Sequence, residues 1–165
     1  MKLALLALGL FTQSALAQTS ILTMPGGAVL AKLSLKATTG EAFAASELVA
    51  IENVAGVAST FKADANGVTT RKNVIGVALK AVASGVTNAT VVVAGEVSVP
   101  DAAWTGGVPA VADVGSKAFL SETAGLWTLT APVTAGSRVI RVGIVTRGGT
   151  GAVKVDVQIG EGTDL

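Results

Sequence analysis

The chain has 165 residues, half of them apolar, with a formal net charge of +1 and neither cysteine nor histidine. That length suits one well-cored domain or two small packed halves. The missing cysteine rules out a disulfide framework and thiolate chemistry, and the missing histidine removes the commonest general base, zinc ligand and pH switch.

Charged residues make up 14% of the sequence, against roughly 25% in a typical soluble domain. The apolar residues are mostly Ala and Val, with four Phe, two Trp and no Tyr. A surface of small, weakly charged groups is suited to an assembly, since exposed apolar area marks interaction sites. The basic residues run from Lys2 to Lys154 and only Arg71 and Lys72 are adjacent. A nucleic-acid binder needs a concentrated basic face, which this spacing does not supply.

Residues 1–20, MKLALLALGLFTQSALAQTS, carry one lysine, an apolar run from Leu3 to Phe11 and Ala15-Leu16-Ala17 before Gln18. Two readings fit. One is a secretory signal cut after Ala17; the run is too short to span a bilayer. The other, adopted here, is an apolar arm or short helix over 1–27, hinged at Met24-Pro25-Gly26-Gly27. On that reading Leu3, Leu6, Leu10 and Phe11 are candidate interface residues, and an arm that orders only on docking carries its entropy cost at that step.

From Val29 onward apolar and polar residues alternate, Ala31, Leu33 and Leu35 against Lys32, Ser34 and Lys36, which predicts a half-buried strand ending at Thr38-Thr39-Gly40. Glu47–Ile51 and Val57–Lys62 predict two further strands around Val54-Ala55-Gly56, and Asp64-Ala65-Asn66-Gly67 predicts a turn. The chain is organised around Asn73–Val99, a strand, a turn-rich loop and a second strand, and a shorter version returns as Arg138–Gly160. Each opens with a β-branched run holding one glycine, Gly76 or Gly143, which predicts a bulge or a close backbone approach. Lys117–Ser121 matches Glu47–Ile51, and Glu122–Leu126 matches Asn53–Val57, giving a period of 65–70 residues. That is too long for a solenoid repeat of about 20 to 50 residues and fits an internal duplication.

These features predict an all-β fold, a small β-barrel or sandwich-like domain of nine or ten short strands. Its two related halves, 28–99 and 110–160, are joined by loop 100–109 within a single β domain, 28–165.

Chemistry-bearing motifs are thin. Glu41, Glu47, Glu52, Asp64, Glu96, Asp101, Asp113, Glu122 and Asp156 offer carboxylates but no catalytic-pair motif. Asp64–Gly67 lacks calcium-loop spacing. Gly106-Gly107 and Gly148–Gly151 lack the Lys-Ser/Thr and helix of a phosphate loop and read as hairpin loops. No enzyme, cofactor or metal is expected. Trp104 lies in the inter-half loop, where it either covers the end of a core or anchors a partner, and Trp127 is expected in the core.

Val91–Val99 (VVVAGEVSV), Pro100, Ala103-Trp104-Thr105-Gly106 and Gly115–Leu120 together resemble the tailed-bacteriophage capsid decoration (cement) proteins, with Gly125–Thr130, Val142–Val145 and the echo Ile75–Ala78 continuing the pattern. The resemblance covers about residues 35–160; Phe119 stands where a tyrosine is usual, and Arg141 precedes the Val142-Gly143 step. It implies a non-enzymatic β-domain on the virion, at the capsid surface, assembled in the host cytoplasm. It further implies the major capsid protein as partner and a homo-oligomer, a trimer above other states, with no nucleic acid or membrane engaged. The alternatives are a phage tail or fibre protein, and a secreted bacterial surface or adhesion protein whose mature chain begins at Gln18.

Overall fold

A computed structural model describes residues 18–23, 29–68, 70–151 and 153–165. In chain order the strands are β1 (Gln18–Thr23), β2 (Val29–Thr39), β3 (Leu48–Val54), β4 (Val57–Lys62), β5 (Val74–Ala78), β6 (Thr87–Val99), β7 (Trp104–Thr105), β8 (Lys117–Leu120), β9 (Trp127–Thr128), β10 (Arg138–Val139), β11 (Arg141–Arg147), β12 (Val153–Gln158) and β13 (Thr163–Asp164). Nine of these have four residues or more, and the helical pieces among the described residues are two three-residue 3-10 turns, Asp101–Ala103 and Val111–Asp113. The fold is all-β, as the composition and alternation predict.

The first half closes on itself. β2 pairs with β4 in parallel at Thr38 and Thr39, β4 with β3, β3 with β5, β5 with β6, and β6 returns to β2 antiparallel. The ring is a five-stranded barrel without a free internal edge. Leu35, Val49, Ala78 and Val91 converge inside it, with Phe43 bridged to Val82 in the same cluster.

The second half repeats this circuit. The segment 94–105 first pairs antiparallel with β12 and, after the 3-10 turn at 101–103, pairs in parallel with β9 through Trp104 and Thr105. β9 pairs with β8, β8 with β11 and β11 with β12, closing a second ring. β6 therefore serves both barrels, its first part completing the first ring and its last six residues opening the second. The join lies inside β6 rather than in the loop 100–109, because a 13-residue strand is long enough to line one ring and then the next.

The two organising glycines sit at equivalent kinks. Between β3 and β5 the register steps from Val49–Gly76 to Ala50–Val74, leaving Ile75 extra. Between β8 and β11 it steps from Ala118–Gly143 to Phe119–Arg141, leaving Val142 extra. Each is a β-bulge, and each glycine also lets backbone approach closely. A Cβ on Gly76 would lie 2.7 Å from Val91 Cγ2, and one on Gly143 would overlap the Asp156 carbonyl oxygen and lie 2.6 Å from Val155 Cγ1.

This register shifts one expected match. Lys117–Ser121 matches Glu47–Ile51 by apolar character and sets Ala118 against Leu48, but the bulges set Ala118 against Val49. The reason is that Leu48, Val49 and Ala50 are all fully buried. Val49 faces into the first barrel, while Leu48 and Ala50 pack against the second. A strand buried on both sides loses the alternation that fixes register from sequence.

One other expectation changes. Gln18–Thr23, assigned to the N-terminal arm, forms an antiparallel ladder with β2 from Gln18–Ser34 to Thr23–Val29. Asp64–Gly67 turns as expected, within a loop that crosses β3 because β4 and β5 flank its opposite sides. The tight hairpin is β3–β4, turned by Ala55 and Gly56 with φ of 51° and 86°. There Asn53 Oδ1 accepts the Gly56 N–H at 2.8 Å.

Candidate functional site

The barrels meet in one continuous core. Leu48, Ala50, Val77 and Val92 from the first ring join Ala118, Leu120, Trp127, Val145 and Val155 of the second. Backbone bonds cross the same seam. Leu48 N–H donates to Gly125 O at 2.9 Å, Gly125 N–H to Ala63 O at 2.7 Å, and Ala65 N–H to Ser121 O at 3.0 Å.

Trp104 and Trp127 stack with centroids 5.9 Å apart and planes tilted by 40°. Trp104 is only 7% exposed and belongs to this core. Of the two roles open to it in the sequence, the structure places it over the core, so it does not project as a partner anchor. The reason is β7, which draws Trp104 alongside Trp127 in a parallel pair and leaves residues 106–110 as loop. Leu3, Leu6, Leu10 and Phe11, the other candidate interface residues, lie outside the described residues.

Each of the nine candidate carboxylates accepts a hydrogen bond from its surroundings. Glu47 binds Lys62 Nζ at 2.9 Å and Glu41 accepts the Lys62 N–H at 2.6 Å. Glu52 accepts from Arg71 at 2.8 Å, and Arg71 also lies 4.0 Å over the Phe61 ring. Asp113 accepts the Ala110 N–H at 2.7 Å and Asp64 the Asn66 N–H at 3.1 Å. Asp101 accepts the Gly151 N–H at 2.9 Å, tying the Gly148–Gly151 hairpin loop to the 3-10 turn. Glu122 accepts from the Thr134 and Ser137 hydroxyls, both at 2.9 Å, and these hold its carboxyl below the usual range.

Glu96 and Asp156 stand opposite each other across β6 and β12, a like-charge pair that disfavours the ladder on its own. Lys154 Nζ, 2.7 Å from Glu96, offsets it. That bond is the main reason the Glu96 carboxyl titrates below its ordinary value, with the Thr146 hydroxyl adding to it against a partial burial cost. Asp156 accepts from Gln158 Nε2 at 2.6 Å. Among the described residues, no three carboxylates gather as they would to hold a metal ion.

Among the clefts formed by the described residues, two are well defined by their lining. One, of about 350 Å³, lies where β5 gives way to β12 along β6, lined by Ser46, Leu79, Val92, Glu96, Val97 and Ser98 among others. The other, of about 300 Å³, is lined by the hydroxyls of Thr105, Ser121, Thr123, Thr128 and Thr130 with Glu122 beside them. Thr105 and Ser121 hydroxyls bond each other at 2.8 Å, Ser121 accepts the Thr123 N–H and Thr128 the Thr130 N–H. The Thr105, Ser121 and Thr128 hydroxyls are spent on local bonds.

What stands out to solvent instead is valine. Val54 and Val57 flank the β3–β4 turn, Val111 opens the 3-10 turn at 111–113 and Val114 follows it, and Val133 is 84% exposed in the loop after β9. The sequence reading did not single these out, because an apolar residue within a strand-and-turn pattern carries no mark of which side it faces. Ser46 was missed for a different reason. It has φ of 70°, donates its hydroxyl to Ser98 O and accepts the Trp127 indole N–H at 2.7 Å. Only the partners, 52 and 81 positions away, give it a role. No protein-family model matches the sequence, and no curated protein matches it significantly.

Proposed function

We propose that this chain is a non-enzymatic virion structural protein, a decoration or cement protein that binds the outside of a phage head and bridges major capsid subunits. The observation that carries this reading is the resemblance running from Val91 through Trp104 to Val145. It is supported by a barrel pair whose nine candidate carboxylates are committed to local bonds. A rigid body with small apolar contacts at its turns is a suitable clamp. It would bind the assembled lattice in preference to free subunits, and so stabilise what it binds by mass action. Repetition over symmetry-related sites raises modest contacts to tight occupancy.

A specific observation favours a second reading. One lysine, the apolar run Leu3–Phe11 and Ala15-Leu16-Ala17 precede Gln18 in the order of a cleaved secretory signal. Density-gradient fractionation of the native source, with intact mass measured on each fraction, separates the two. The decoration role requires the chain in the particle band; a chain beginning at Gln18 and found only in the soluble extracellular fraction would replace it with a secreted surface protein.

A further inference from the structure

The turn Asp64–Gly67 was singled out in the sequence and no function has absorbed it. Asn66-Gly67 is the one Asn-Gly step in the chain, and the other asparagines precede Val54, Val74 and Ala89. Asn66 is exposed, and among the described residues its side-chain amide makes no hydrogen bond. By contrast, Asn53 Oδ1 is held by the Gly56 N–H and Asn73 Oδ1 by Arg138. Among the described residues the Gly67 N–H is tied only by a long 3.3 Å bond to Asp64 O. The loop is not a strand turn, so no ladder holds Gly67 in place.

We propose that Asn66 is a site of spontaneous deamidation in the folded protein. The Gly67 backbone nitrogen, after losing its proton, attacks Asn66 Cγ. The new N–Cγ bond closes a five-membered succinimide as the Cγ–Nδ2 bond breaks and ammonia leaves with the proton. Water then opens the ring at either carbonyl, giving aspartate or isoaspartate; no oxidant or reductant is involved. Glycine permits the step because it has no Cβ to shield the nitrogen and reaches the needed backbone angles without strain.

The position gives the modification a structural consequence. The preceding residue, Ala65, is fully buried and stitches the barrels together, donating to Ser121 O at 3.0 Å and accepting the Arg138 N–H at 2.8 Å. Isoaspartate at 66 inserts an extra atom into the main chain next to that stitch and adds a negative charge beside Asp64. The aged protein should therefore be looser at the seam than the fresh one.

The test is to incubate the purified full-length protein at mildly alkaline and mildly acidic pH, then map each asparagine by peptide mass spectrometry. The same chain unfolded in urea serves as the reference. Expected are conversion at Asn66 ahead of Asn53, Asn73 and Asn88, faster at the alkaline pH, and a lower melting temperature for the converted fraction. N66Q should abolish the mass gain at this site, and because the Asn66 amide makes no bond in the fold, the variant should melt with the fresh wild type. Asn66 unchanged in the folded protein over a period in which the unfolded chain converts would overturn the proposal.

Discussion

At the scale of single residues, the glycines at the bulges carry the sharpest expectations. At Gly143 a side chain would run into the Asp156 backbone, which is fixed in the β11–β12 ladder and has little room to yield. Gly143→Ala should cost about 1–3 kcal/mol, the range for forcing an extra carbon into a packed interior. Gly76→Ala meets the Val91 side chain first and should cost less. Urea unfolding of both variants checks the order, and a neutral Gly143→Ala would show the bulge to be looser than drawn.

Glu96 gives a pH-dependent case. Its folded carboxyl titrates below the ordinary value because Lys154 holds the charged form. Its stabilisation is therefore present above the unfolded pKa and lost as pH falls through the folded one. The pair is more than a third exposed and faces Asp156, so solvent screening keeps the effect below about 1 kcal/mol. Glu96→Gln should be slightly less stable than wild type at neutral pH, with the difference closing in acid. A gap that widens in acid would contradict this.

At the scale of elements, β3 and β6 explain what the sequence could and could not reveal. The pairing of β5 with β6 and of β11 with β12 was legible, because Gly-marked β-branched runs followed by valine-rich runs describe a hairpin locally. The division of β6 between two rings was not, since nothing in TNATVVVAGEVSV marks where one partner strand ends and the next begins. β3 misled by one residue because burial on both faces erased its alternation. β1 was hidden by its position behind an apolar leader-like segment. The candidate site was less legible still: Trp104 was named with its role open, and only its tertiary neighbour Trp127 decides it.

The weld between rings depends on Trp127, which is fully buried and bonds Ser46 O across the seam. Trp127→Phe keeps a ring in the core but leaves that carbonyl unpaired. A loss of about 1–3 kcal/mol is expected, measured by chemical denaturation. No loss would mean that the Ser46 bond contributes nothing to the junction.

At the scale of the whole molecule, a shared strand, a common core and crossing backbone bonds make the two barrels one mechanical unit. Both tryptophans report on the second ring, whereas far-UV circular dichroism reports on both rings. The two signals should follow a single coincident unfolding curve, as expected of a cooperative domain of this size. Fluorescence changing at a lower denaturant concentration than dichroism would mean that the rings unfold separately.

A body that melts as one unit is what a lattice clamp requires, because load applied at one ring is carried to the other through β6. The most direct measurement is the thermal stability of purified phage heads lacking this chain, titrated with the purified protein. The decoration role predicts saturable binding to assembled heads, negligible binding to free capsid subunits, and a rise in the temperature at which the heads open. Heads that open at the same temperature with the protein absent or in excess, with no protein co-sedimenting, would contradict it.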